Sequence, residues 1–148
     1  MSTPNYDSSK LASIKTYMLI AFIFNIIILV VWALEGIWQI LTYATFASYY
    51  IYDIYYGASA AWLITGIVFL VLLVFAVIVF MRVRRMYNAV NSGDINTLKQ
   101  LNNMMWAILA LIFAGVIPGI MLLISFGPIN ELGQAPASGA YPPPPPPR

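Results

Sequence analysis

The chain has 148 residues, 61% of them apolar and only 8% charged, with a mean hydropathy of +0.84. A soluble domain carries roughly a quarter charged residues to keep its surface wetted, so this composition excludes an ordinary soluble fold and makes a bilayer the expected solvent. Cysteine and histidine are both absent and the formal charge is only +2, which excludes disulfides, thiolate nucleophiles, the usual zinc, iron–sulfur and haem ligands and imidazole bases, and gives no argument for nucleic acid.

Residues 1–15 are polar and include Lys10 and Lys15, after which residues 16–34 form an almost unbroken apolar run. This is the first predicted transmembrane span. A secretory signal has a shorter apolar core, about 7–15 residues, closely followed by a small-residue cleavage site. Ala58-Ser59-Ala60 has that form but lies too far downstream, so the run reads as an anchor. Asn25 falls in mid-span, where a polar side chain normally bonds across a helix interface. Helix packing is its expected role, with a place in a transport path as the alternative.

Residues 35–57 contain Tyr43, Tyr49, Tyr50, Tyr52, Tyr55 and Tyr56. Tyrosine and tryptophan favour the headgroup level, where the ring is half buried and its polar atom stays wet. Glu35, Gln39 and Thr42 share one helical face opposite Ile37, Trp38, Ile40 and Leu41, which predicts an interfacial helix presenting Glu35, Trp38, Tyr49 and Tyr52. A fourth span is the rival, opposed by Asp53 and the many hydroxyls. Glu35 is either a functional acid near a span end or the first polar residue at the interface. The tyrosines form either an aromatic belt or a surface for a sugar, a headgroup or a partner.

The second span is predicted at residues 60–81, closing on Arg82, Arg84 and Arg85. Gly57, Ala61 and Gly66 make one side of it small, and Gly57 and Ala61 have the spacing of small-residue packing motifs. Residues 82–103 read as a helical hairpin, with Gly93 able to end one helix in the left-handed conformation and Asp94 placed to cap the next. The third span is predicted at residues 104–126, with Gly115, Pro118 and Gly119 in its middle and a proline kink near Val116. Close packing is again the expected use of those residues.

Residues 133–148 are rich in Pro, Gly, Ala and Ser and end in Tyr141, the proline run beginning at Pro142, and Arg148. Such a segment is expected to be disordered, with an extended polyproline stretch. It is a ligand for proline-binding modules in a compartment that contains them, and a stiff spacer elsewhere. Lys10 and Lys15 precede the first span and Arg82, Arg84, Arg85 and Lys99 lie between the second and third, whereas residues 35–59 carry no basic residue. Three spans then place the amino end and the Arg82 segment inside, and the tyrosine-rich segment and proline tail outside.

Asn91-Ser92-Gly93-Asp94, Leu98, Leu101-Asn102, Trp106-Ala107-Ile108 and Gly115-Val116-Ile117-Pro118-Gly119-Ile120 resemble the carboxy-terminal half of small prokaryotic, especially archaeal, multi-span membrane proteins. The resemblance covers about a third of the chain and implies architecture and, with the composition, a prokaryotic source, but no activity. The expectation is an all-α integral membrane protein of the cell membrane, with a membrane domain over residues 1–132 and a tail over 133–148. Its expected role is that of a non-catalytic scaffold or accessory subunit that contacts membrane lipids and either a membrane-protein partner or copies of itself. A small oligomeric channel or transporter component is the alternative. No enzyme activity, cofactor or metal is expected, because no paired acids and no nucleophile–base set stand at depth.

Overall fold

The computed structural model describes residues 8–49 and 56–132. They form five helices, α1 (Ser8–Tyr49), α2 (Tyr56–Ser92), α3 (Ile95–Leu101), α4 (Met104–Phe113) and α5 (Val116–Glu131), and no strand is present among the described residues. Tyr52, Tyr141, Pro142 and the rest of the proline-rich tail lie outside them.

The first two helices are long, 42 and 37 residues, or about 63 and 55 Å at 1.5 Å per residue. Both contain windows apolar enough to cross a membrane. Where hydroxyls interrupt the apolar surface they bond to their own helix: Thr16 to the Ala12 carbonyl, Thr42 to Trp38, Thr45 to Leu41 and Thr65 to Ala61. A hydroxyl satisfied in this way needs no water.

A separate interfacial helix is expected over residues 35–57, of which residues 50–55 lie outside the described ones. Residues 35–49 continue α1 without a break. Gly36, the one helix-weakening residue there, is buried against α2, where an added Cβ would stand 3.1 Å from Leu70 Cδ2. Packing thus holds the backbone at a position that intrinsic propensity disfavours.

α1 and α2 run antiparallel. Phe22 stacks with Phe80 and Tyr87, at centroid distances of 5.5 and 5.2 Å, and Trp32 meets Phe69 at 5.4 Å. Farther along, Gly36 and Gly66 bring the helices close, and a Cβ on Gly66 would lie 3.4 Å from the Gly36 carbonyl oxygen. α2 stops at Gly93, whose φ of 71° lets the Gly93 and Asp94 N–H groups reach back to the Val90 and Ala89 carbonyls at 3.3 and 2.9 Å. These two bonds satisfy carbonyls that the helix end would leave open. Asp94 then accepts from Thr97 N–H at 3.0 Å and starts α3.

The expected third span is not one helix but a helical hairpin. Gly115 adopts φ 95° and ψ 167° between α4 and α5, a region open essentially only to glycine. Pro118 does not kink a continuous helix; it occupies the first turn of α5, where a missing N–H has no helical acceptor to lose. α5 folds back along α4 so closely that a Cβ on Gly119 would stand 2.6 Å from the Leu111 nitrogen. At the open end, Asn102 Nδ2 donates to the Phe126 carbonyl and to Asn130 Oδ1, both at 2.9 Å. The two ends of the expected span are therefore neighbours.

The hairpin packs on the Ser8 half of α1 and the Ser92 half of α2. Ile14, Met18 and Ala21 of α1 meet Val83, Met86 and Val90 of α2, Leu98 of α3 and Ile129 of α5 in one buried core. The Trp32 Nε1 proton is accepted by the Phe113 carbonyl at 3.0 Å, and Phe113 stacks on Phe75 at 4.6 Å, which ties the hairpin tip partway along the long helices. Beyond the tip, over residues 33–47 and 60–75, only Gly36 and Gly66 are buried. The bundle is thus thick at one end and a bare helix pair at the other.

Lys10 Nζ meets Glu131 Oε2 at 2.7 Å, so the chain leaves the described structure at Leu132 at the same end as Ser8. The expectation that the amino end and the tail emerge on opposite faces concerns a tail outside the described residues, and Leu132 stands at the Ser8 end of the bundle. That expectation required residues 104–126 to cross from one end to the other, and the Gly115 reversal brings them back.

Candidate functional site

The end of α2 carries Arg82, Arg84 and Arg85 just past its apolar run. Helical spacing turns them to different faces: Arg84 and Arg85 are exposed, whereas Arg82 is half buried beneath the α3–α4 joint. Its Nη2 donates to the Leu101 carbonyl at 2.8 Å, the last residue of α3, whose carbonyl has no helical partner. Its guanidinium lies 4.6 Å from the centre of the Trp106 ring, within cation–π range. Its Nε is buried with no hydrogen-bond partner.

A small cleft, with room for about one water molecule, lies beside this guanidinium. Arg82, Asn102, Asn103 and Trp106 form its polar side, and Val79, Val83 and Leu122 its apolar floor. Asn103 Oδ1 caps α4 by accepting from Met105 N–H at 2.9 Å, which leaves the Asn103 amide hydrogens unbonded among the described residues. Asn102 spends its amide hydrogens on α5 and leaves its own oxygen open.

Among the described residues no carboxylate balances this end of α2. Glu131 is engaged by Lys10, and Asp94 is turned to Thr97. Hydrogen bonds from Thr97, through its side chain and then its backbone N–H, hold the Asp94 carboxyl below the usual aspartate range. Arg82, Arg84, Arg85 and Lys99 make no ion pair among the described residues. The arrangement is a half-buried cation with a vacant donor, stacked on an indole and bordered by two asparagines.

The residues expected from sequence are distributed elsewhere. Gly115, Pro118 and Gly119 meet at the hairpin tip and first turn of α5, and Gly115 lies against Ile28. Asn25 is fully buried and neither of its amide atoms has a partner. It belongs to the stripe Ile14, Met18, Ala21, Asn25 and Ile28, which faces α5 between the Lys10–Glu131 and Ile28–Gly115 contacts. That places Asn25 about level with Pro118. Gly66 is buried on the bare arm, while Ala61, Glu35 and Trp38 are exposed. Tyr49 ends α1 and Gly57 lies in the first turn of α2.

Arg82 was not among the expected site residues, because three arginines at the end of a span read as a topology signal. The available clue was the pairing of that run with Asn102, Asn103 and Trp106 across a short hairpin. No family model, curated protein or solved structure matches the chain. The class that stands is an all-helical protein with two helices long and apolar enough to cross a membrane.

Proposed function

We propose that the chain is an integral membrane protein acting as a non-catalytic scaffold or accessory subunit. One observation carries the membrane part. In the most apolar windows of α1 and α2 only 17% of the residues are buried by the rest of the chain. Ile23, Ile27, Val30 and Val31 on α1 and Ile64, Val68, Val71 and Val74 on α2 point outward. Each such side chain left in water forgoes about 1.5–3 kcal/mol of burial, and the core helix of a soluble protein is mostly covered by its own fold. Lipid is the solvent that suits this surface.

In this reading α1 and α2 cross the bilayer and the α4–α5 hairpin enters and leaves from one side. The positive-inside rule assigns the Ser8 end, the Arg82–Lys99 segment and the chain at Leu132 to the inner face of the cell membrane. A scaffold role is supported by the bare α1–α2 arm, which presents mostly apolar side chains, with Glu35, Gln39 and a few hydroxyls, for lateral contact with a membrane protein or another copy. Alkaline carbonate washing tests the first step: the protein stays with the membrane and requires detergent for release, and extraction by carbonate overturns the assignment. Mild detergent purification from the native membrane tests the second. A second polypeptide in fixed ratio, or a stable homo-oligomer, supports the scaffold, and an isolated monomer under all mild conditions opposes it.

A pore or transporter component is the second reading. It is favoured by the coincidence of a broken helix with the unpartnered Asn25 amide at nearly the same depth, since irregular backbone at membrane depth often lines a polar path. Ion flux across liposomes holding the purified protein, lost in Asn25→Leu, would move the assignment to that class.

A further inference from the structure

We infer that the face of the bare arm marked by Glu35 docks a transmembrane helix of another protein, one that carries a lysine or arginine in mid-span. The inference rests on the scaffold reading and names the chemistry of the partner.

The fold sets the depth of Glu35. Its neighbour Gly36 packs where an added Cβ would stand 3.1 Å from Leu70 Cδ2 and 3.5 Å from Phe69 Cβ. Leu70 lies in the middle of the apolar run of α2, ten residues from Ala60 and twelve from Arg82, or about 15 and 18 Å along the helix. α1 itself continues fourteen residues beyond Glu35 to Tyr49, about 21 Å. With α1 and α2 crossing the bilayer, Glu35 thus stands at the level of hydrocarbon, although its place after the first apolar run reads as a span end. The side chain is exposed. A carboxylate facing lipid is costly and as a rule is paired, and its stem is shorter than those with which lysine and arginine reach the interface.

The chain does not supply that pair. Glu35 makes no hydrogen bond or ion pair among the described residues. No basic residue lies between Lys15 and Arg82, and Lys15 is twenty residues, about 30 Å, farther down α1. Residues 1–7 and 133–148 join the helices at Ser8 and Leu132, at that same far end. Residues 50–55 connect Tyr49 to Tyr56, and seven peptide units extend about 25 Å at most. Going down fourteen residues of helix to the level of Glu35 and back takes about 42 Å. A second copy in the same orientation sets Glu35 against Glu35, like charge on like.

The groups around Glu35 suit a cation. Gln39, one turn on, has its Oε1 buried without a donor. Val31 and Trp38, four residues before Glu35 and three after, are 44% and 66% exposed and flank it with apolar surface for a neighbouring helix. The Trp38 indole also favours a positive charge beside it. A lysine or arginine in a partner's span meets the same cost as Glu35, and pairing the two removes both.

Full-length protein carrying a donor dye at Ser92→Cys, reconstituted in phosphatidylcholine vesicles, provides the test. It is titrated with acceptor-labelled leucine-rich transmembrane peptides of about 20 residues that differ only at the central position: lysine, leucine or glutamate. Energy transfer reads association, and a central residue has the same depth whichever way the peptide inserts. The lysine peptide should bind about tenfold more tightly than the leucine peptide, the gain of one charge-assisted hydrogen bond. Glu35→Gln should abolish that preference and leave the melting temperature of the protein alone nearly unchanged, and Glu35→Lys should select the glutamate peptide instead. Equal affinity of wild type for the lysine and leucine peptides, or a preference kept in Glu35→Gln, overturns the inference. Transfer between differently labelled wild-type copies that is lost in Glu35→Gln also overturns it and makes a second copy the occupant of this face. The wild-type titrations decide the matter even if a Glu35 variant fails to insert. Native purification reports separately on the scaffold role, so failure of the lysine peptide leaves that reading standing, whereas extraction by carbonate removes the membrane reading on which the docking face depends.

Discussion

A Cβ at Gly119 would sit 2.6 Å from the Leu111 nitrogen and 2.7 Å from its Cα, against backbone that has no flexible end to move aside. Gly119→Ala should therefore destabilise the protein by about 1–3 kcal/mol, the usual cost of overpacking, seen as a lower melting temperature in detergent. At Gly66 the nearest atom is a side-chain carbon, Ile40 Cγ1 at 2.8 Å, so Gly66→Ala should cost less than Gly119→Ala. Ala61 is exposed, and Ala61→Leu should stay within about 0.5 kcal/mol of wild type. The reverse ranking would place the close contacts elsewhere. Asp94 makes a pH-dependent contribution with a definite sign. Its folded-state pKa is depressed, so the stabilisation it gives α3 is complete above the unfolded aspartate value, about 3.9, and is lost as pH falls through the folded value. Amide exchange of α3, in wild type and in Asp94→Asn, checks this. Protection in wild type should drop in acid toward the level of the variant, whose own protection changes little over the same window.

Among the elements, the α4–α5 hairpin decides the most. An unbroken helix would hold Asn102 and Asn130 about 42 Å apart at 1.5 Å per residue, yet their side chains are hydrogen-bonded at 2.9 Å. Because the chain has no cysteine, Asn102→Cys/Asn130→Cys can be made directly and treated with a short bifunctional thiol reagent. Intramolecular cross-linking in dilute protein is the expected result, and its absence while both thiols remain reactive would restore a continuous helix. Gly115→Ala places a Cβ at φ 95°, 3.3 Å from Ile28 Cδ1. The strain should cost about 1–3 kcal/mol and reduce the cross-linking yield. The ties at the tip, Trp32 to the Phe113 carbonyl and Phe75 on Phe113, work against that loosening.

For the whole molecule, the hairpin sets which ends share a face. Ser92→Cys and Asn130→Cys should have the same accessibility to an impermeant thiol reagent, and Ala47→Cys the opposite. With the Arg82–Lys99 segment inside, the first two are labelled only after the membrane is opened and the third in intact cells. Opposite labelling of positions 92 and 130 would mean that residues 104–131 cross the bilayer. The Lys10–Glu131 pair marks this arrangement without much strengthening it, since both side chains are about half exposed and a surface pair contributes about 0–1 kcal/mol.

The sequence by itself determined the all-helical class, the long apolar runs of α1 and α2 and the Gly93–Asp94 turn. Each depends on residues close in the chain: a run of apolar side chains sets the helix, and a glycine beside an aspartate ends one helix and begins the next. Only the tertiary structure decided that residues 35–49 extend α1, because Gly36 is held there by Leu70 and Gly66 on another helix. The same is true of the hairpin. Gly115 and Pro118 permit either a kinked span or a reversal, and the choice between them lies in contacts with Trp32, Leu111 and Asn102 that local pattern does not encode. Arg82 follows the same logic: its charge is legible in the chain, but the burial, the indole beneath it and the unbonded Nε exist only once α3 and α4 fold across it.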